Sequence, residues 1–231
     1  MKFDIKRVVV VCEGQTEEEF VRTVLAPSFH NLSLYLEPQM VDTSPGHRGG
    51  ALNYARVKNH LCNELKQKSA PFVTTLFDLY KLDKRFPGFE EAMGKTDLGQ
   101  RLDVLQRELH NDVTNEVGDK ARRFIPYIQP YEFEALLFSD VAALSLVNPS
   151  WAKQSIKKLV EIRNAAQSPE HINDRPETKP AAHLERELNH PKYSKRRDGP
   201  VAAQKIGLAK MEAECKFFAA WLAQIRNWAK S

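Results

Sequence analysis

The stretch Val8-Val9-Val10-Val11-Cys12-Glu13-Gly14-Gln15-Thr16-Glu17-Glu18-Glu19 decides the reading of the fold. Four consecutive valines without polar alternation suit a strand buried on both faces, as in a parallel sheet covered by helices. Glu13 and Gly14 break the run. Thr16 followed three residues later by Glu19 has the form of a capping box, which predicts a helix from Thr16 through Phe20, Val21, Val24 and Leu25 to Pro27. Glu13 then stands at the carboxyl end of a central strand, the edge where open α/β sheets hold ligands.

Outward from this unit, Leu34 to Val41 predicts a second strand and Ser44 to Gly50 a loop. A helix is predicted over Ala51 to about Lys66, with Gly49 and Gly50 leaving backbone N–H groups open to an anion; a surface turn is the plainer reading. Pro71 to Phe77, P-F-V-T-T-L-F, is a third strand without clean alternation, hence central, and it ends at Asp78. Leu98, Leu102, Leu105 and Leu109 give Phe89 to Val113 helical spacing. Phe124 to Ile128 is a fourth strand, and Pro126 places it at an edge. Tyr131 to Phe138 is predicted helical, which sets Glu132 in its first turn and Glu134 about 200° away around the axis.

From Asn148 onward the pattern is helical: Trp151 to Gln167, Ala181 to Leu188, Val201 to about Glu214 and Cys215 to Trp228, with a basic loop over Pro191 to Pro200. The expected architecture is α/β, a mostly parallel four-stranded sheet flanked by helices over residues 1–147 and a helical extension over 148–231.

A chain of 231 residues is long enough for a sizeable core, and 34 Lys plus Arg against 30 Asp plus Glu leave a net charge of +4, which permits nucleic-acid binding without demanding it. Three widely separated cysteines, Cys12, Cys62 and Cys215, suggest neither a disulfide framework nor a zinc site. With no apolar run long enough for a bilayer and no signal-like start, the expectation is a cytoplasmic protein without membrane contact.

Glu13, Asp78 and Glu132 are expected on one edge of the sheet. Carboxylates about 4 Å apart repel by roughly 4 kcal/mol at an effective dielectric of about 20, so such a group must protonate, spread or hold a cation. Magnesium suits an acid-rich, cysteine-free site whose open positions can take phosphate oxygens. Glu17, one turn into the first helix, could add a ligand or an outer-shell contact, while the plainer reading of Glu17, Glu18 and Glu19 alike is that of ordinary helix-start acids. Lys192, Lys195, Arg196 and Arg197 beside Tyr193 could neutralise phosphates and stack a base, with His47 and Arg48 contributing from elsewhere. A solvated loop often carries such residues too.

Cys12-Glu13-Gly14-Gln15-Thr16-Glu17 resembles the E-G-x-x-E opening of TOPRIM domains, the metal-binding fold of topoisomerases, primases and OLD-type nucleases. Val73 to Tyr80, Phe86 to Gly88, Ile125 to Phe138, Ser168 to Asp174 and Gly199 to Leu208 resemble segments of a bacterial TOPRIM-like family of unknown function, the DUF4276 type, found near ATPases in phage-defence loci. Where TOPRIM enzymes carry D-x-D, this chain has Asp78-Leu79-Tyr80, so against the resemblance one metal ligand is either missing or supplied from elsewhere, by Glu132 or Glu134. It also implies a lysine that stabilises the transition state, Lys195 by position with Lys205 in reserve. No P-loop is present, so an ATPase partner would be a separate chain.

Site and resemblance together lead to the expectation of a Mg²⁺- or Mn²⁺-dependent nuclease acting on DNA or RNA. Glu13 and Lys195 are the catalytic candidates, and Glu13, Glu17, Asp78, Glu132 and Glu134 the metal ligands. Arg48, Lys192, Arg196 and Arg197 are the expected contacts to nucleic acid. The alternative is a non-catalytic scaffold that binds an ATPase or a nucleic acid; self-association into a homo-oligomer stays open under both.

Overall fold

The structure is a computed structural model that describes residues 5–44, 47–48, 52–80, 82–172 and 175–230. In chain order the first elements are β1 (Lys6–Cys12), α1 (Gln15–Phe20), α2 (Ala26–Phe29), β2 (Leu34–Met40), β3 (Asp42–Ser44) and β4 (His47–Arg48). Then come α3 (Tyr54–Lys66), β5 (Phe72–Asp78), α4 (Phe89–Met93), α5 (Leu98–Val117), β6 (Phe124–Ile125) and β7 (Ile128–Gln129). The remaining helices are α6 (Lys153–Ala165), α7 (Pro180–Glu187), α8 (Lys195–Ile206), α9 (Leu208–Glu214) and α10 (Lys216–Asn227). Among the described residues no helix is long and apolar enough to cross a membrane.

The fold is α/β, with a central sheet in the order β2-β1-β5-β6 whose neighbouring strands run parallel, and β7 also paired to β5. Val8, Val9, Val10 and Val11 are fully buried, as expected for a strand with a neighbour on each side and helices over its faces. Strand β2 is an edge, which is where Pro38 can lack an N–H without breaking the ladder. At the other margin Pro126 divides the expected fourth strand into β6 and β7. There the Thr75 hydroxyl donates to the Tyr127 carbonyl at 2.7 Å and accepts the Tyr127 N–H at 2.8 Å. A buried polar side chain on a central strand thereby replaces the ladder bonds that proline interrupts.

The chain divides into two compact units, Met1–Ile128 with Leu222–Ser231, and Gln129–Trp221. The division expected after residue 147 falls inside the second. In the first unit α3 packs on β5 and α5, while α1 packs on β1 and β2. In the second, α6, α7, α8 and α9 pack around a 3₁₀ segment, Phe133–Leu146, ten of whose fourteen residues are buried. Its sequence F-E-A-L-L-F-S-D-V-A-A-L-S-L is the core of that unit. The segment bends at Asp140, outside helical geometry, where the Asp140 carboxylate accepts the N–H groups of Ala142 and Ala143 at 3.1 and 3.4 Å.

Several boundaries differ from the sequence reading. The first helix starts at Gln15 behind Gly14 with no side-chain cap, so the Thr16–Glu19 capping box does not form and Thr16 is buried instead. That helix also passes Pro27. A π turn over Val21–Leu25, in which Ala26 N–H bonds to the Val21 carbonyl, precedes α2, which takes the proline in its first turn. The helix expected from Ala51 starts at Tyr54, where Asn53 accepts the Arg56 N–H; Gly49, Gly50 and Ala51, and the anion cradle read there, lie outside the described residues.

The Phe89 to Val113 helix is two helices, because Asp97 caps a new start at Leu98. Tyr131, with φ of 55°, turns the chain so that Glu132 is extended and the 3₁₀ segment begins only at Phe133. The basic loop is the largest correction. Helix α8 begins at Lys195, five residues before Pro200, and ends at Gly207, whose φ of 80° separates it from α9.

Candidate functional site

Parallel pairing of β1 and β5, with Cys12 opposite Leu76, brings two expected site residues to one edge. Glu13 N–H reaches the Leu76 carbonyl at 3.4 Å, and the Glu13 carboxylate accepts the Asp78 N–H at 3.2 Å. Glu13 therefore lies across the ends of both strands, and Asp78 is buried beside it. Glu17, one turn into α1, is buried as well, and a Cβ at position 14 would stand 3.2 Å from its Oε2. Gly14 thus leaves room for Glu17 to fold back toward the strand end. The nearby Cys12 thiol is pushed well above its usual pKa by burial first and by Glu17 second. Glu18 and Glu19 turn outward to Arg22, at 2.8 and 2.6 Å.

Magnesium holds hard oxygen donors, and commonly one or two carboxylates with waters and substrate phosphate completing six positions. Glu13 and Asp78 match that donor chemistry, with Glu17 behind them. Among the described residues no three His, Cys, Asp or Glu side chains gather closely enough to hold a metal by themselves.

The other expected acids belong to the second unit, and each has a cation beside it. Glu132 Oε1 is 2.6 Å from Lys179 Nζ, while Oε2 accepts the Ala181 N–H at 3.0 Å in the first turn of α7. This carboxylate caps a helix and neutralises a lysine. Glu134 is fully buried, and its Oε2 lies 3.1 Å from Lys195 Nζ. Lys195 opens α8, and its side chain keeps about a third of its exposure, 34%. Two residues expected in one catalytic group are thus in contact, as an ion pair.

The basic segment is organised rather than loose. Asp198 accepts the Ser194 N–H at 2.8 Å and pairs with Arg197 at 2.7 Å, while Arg197 also reaches the Lys192 carbonyl at 3.1 Å. Lys192, Arg196 and Arg197 are exposed. Tyr193, expected to stack a base, is buried and packs against Trp151 with ring centroids 6.4 Å apart, so its face is not offered to a ligand. Lys205 is in the last turn of α8, about 15 Å along the axis from Lys195 at 1.5 Å per residue. The side chains of His47 and Arg48 lie outside the description.

Sequence reasoning missed Lys179 and Glu170. Both Glu170 oxygens accept N–H groups at the start of α10, from Phe217 at 3.0 Å and Phe218 at 2.9 Å. Burial raises the Glu170 carboxyl, and those two amides oppose the rise. A buried acid in a proline-rich stretch gave no periodic signal that could have revealed it.

Neither the curated proteins nor the solved structures include a significant match to the chain. The model of one family, a domain of unknown function named DUF4276, matches residues 12–226, nearly the whole sequence and both compact units. The chain belongs to the DUF4276 family.

Proposed function

We propose that this protein is a metal-dependent phosphodiesterase of TOPRIM type acting on nucleic acid. The observation that carries the reading is the Glu13–Asp78 relationship: two acids on adjacent parallel strand ends, linked at 3.2 Å through the Asp78 N–H, on the edge where α/β sheets take ligands. Glu13 and Asp78 would hold a magnesium or manganese ion, with Glu17 orienting them. The ion supplies Lewis acidity toward a phosphoryl oxygen and favours a hydroxide-like nucleophile. Glu13 would act either as that ligand or as the base that takes a proton from the attacking water. Within the second unit by itself, Lys192, Lys195, Arg196 and Arg197 would supply cations for the phosphates of a polyanion.

The test is cleavage of plasmid DNA and total RNA with Mn²⁺, comparing wild type with Glu13→Ala and Asp78→Ala. The expected loss is at least about a hundredfold for each, beyond what disturbed outer-shell partners alone cost. Equal cleavage by all three proteins rejects the assignment.

A second reading is a non-catalytic scaffold that docks on a separately encoded ATPase or on nucleic acid. The Glu132–Lys179 pair favours it, since an acid expected to complete the metal site is engaged in capping α7. Calorimetry with Mn²⁺ separates the two: heat that disappears in Glu13→Ala supports the enzyme, and no heat supports the scaffold.

A further inference from the structure

The second unit contains a charge arrangement that its packing alone does not require. Glu134 is fully buried, whereas the ammonium facing it at 3.1 Å belongs to a side chain still 34% exposed. Removing a carboxylate from water is costly, and an apolar pair of similar volume commonly serves a core as well or better. This pair is therefore asymmetric: a buried anion fixes the place of a cation that reaches solvent.

That cation sits where positive charge is already concentrated. Lys195 is the first residue of α8, a twelve-residue helix whose amino-terminal dipole is positive, and the Ser194 side chain does not cap it. Arg196 and Arg197 follow, and Lys192 precedes the turn. Cations at a helix start oppose the dipole, and helices favour acids there. Asp198 offsets Arg197 and Glu134 offsets Lys195, while Arg196 and Lys192 stand exposed in the same stretch.

We propose that Glu134 is a positioning residue: it holds Lys195 at the head of α8 so that the ammonium contacts a backbone phosphate of a bound nucleic-acid strand. The inference rests on the nucleic-acid reading above and deepens it, because it gives Glu134 a role toward the substrate that is not metal ligation. A phosphodiester fits the site's chemistry, having anionic oxygens for Lys195 and Arg196.

The experiment is fluorescence anisotropy with labelled single-stranded DNA and RNA of one sequence, in EDTA and across a salt series, so that cleavage plays no part. Glu134→Gln raises the net charge by one, so charge alone predicts tighter binding. Positioning predicts the opposite, a loss of about tenfold, the size of one charged hydrogen bond. Glu134→Gln/Lys195→Gln replaces both members of the pair and removes the buried charge, which keeps the fold accessible if the single variant is unstable. It should bind about tenfold weaker than wild type, with a salt slope shallower by about 1.

Lys195→Arg, which keeps the cation, should retain most of the affinity. Glu134→Gln that binds as tightly as wild type or tighter overturns the proposal, as does a double variant with wild-type affinity and slope. Failure of wild type to bind either strand overturns the nucleic-acid reading itself, so the two failures are distinguishable.

Discussion

Glu132 Oε1 lies 2.6 Å from Lys179 Nζ, and the side chains keep only 6% and 22% of their exposure. The pair closes the entrance to α7, because the second oxygen of the same carboxylate holds the Ala181 N–H. Glu132→Ala takes one acceptor each from that amide and from a half-buried ammonium and should cost about 2–4 kcal/mol in urea denaturation. Glu132→Gln, which can still accept the amide, should cost about half as much. Full stability together with lost Mn²⁺ binding would instead return Glu132 to the metal.

Glu170 makes the start of α10 sensitive to pH. Burial raises its carboxyl above the ordinary value, so the folded chain holds this proton more tightly than the unfolded one. The group's contribution to stability is then full below the unfolded value of about 4.3 and is lost as pH rises through the raised folded value. Glu170→Gln keeps one acceptor oxygen, for one of the Phe217 and Phe218 amides, and does not titrate, so its fixed loss of the other bond does not vary with pH. Stability of wild type relative to Glu170→Gln should therefore fall on raising the pH from 4 toward neutrality; a difference that stays flat or grows contradicts the assignment.

Two glycines with positive φ should lose stability to alanine for different reasons. At Gly207, φ is 80° with ψ of 148°, a region nearly confined to glycine, so Gly207→Ala should cost about 1–3 kcal/mol of backbone strain although an added Cβ meets nothing within 4 Å. At Gly88, φ is 73° with ψ of 6°, the milder left-handed helical region, but the Cβ would come 2.8 Å from Glu108 Cγ and 3.1 Å from Val104 Cγ1. Overpacking then adds to strain, for a total of about 2–4 kcal/mol. Urea midpoints check both, and a variant as stable as wild type would contradict its assignment.

The thiols should be silent in the native protein. Cys12, Cys62 and Cys215 are buried, and burial pushes Cys12 well above its usual value and Cys215 up to about 12. Reaction with a thiol reagent at pH 8 should proceed no faster than unfolding and should count all three after denaturation. Rapid native labelling of Cys12 would mean that the strand end beside Glu13 is open.

Legibility in the sequence followed the range of the interaction. Strands β1 and β5 were readable because Val8 to Val11 are apolar and Phe72 to Phe77 are β-branched or apolar without alternation, whatever else the chain does. Their adjacency brought Glu13 and Asp78 together as expected. Local signals misled where a competing contact was nearby: Gly14 displaced Thr16 from the cap, and Asp198 took the Ser194 N–H and began α8 ahead of Pro200. The partners of Glu132 and Glu134 were unreadable, since Lys179 and Lys195 are far along the chain and pairing is decided by packing around Phe133–Leu146. An acid's neighbours, unlike a valine's, cannot be inferred from its spacing.

Thr75 has a consequence for how the sheet yields. Its one hydroxyl joins both polar groups of Tyr127 to β5, so the residue between the β6 and β7 pairings is fastened by a rotor on a side chain rather than by peptide against peptide. Releasing that one residue requires no shift of register and no unzipping from either end, only a turn about χ1 of Thr75. Hydrogen exchange at the Tyr127 amide would then report a local opening set by a single torsion, while the valine strand two positions in remains closed.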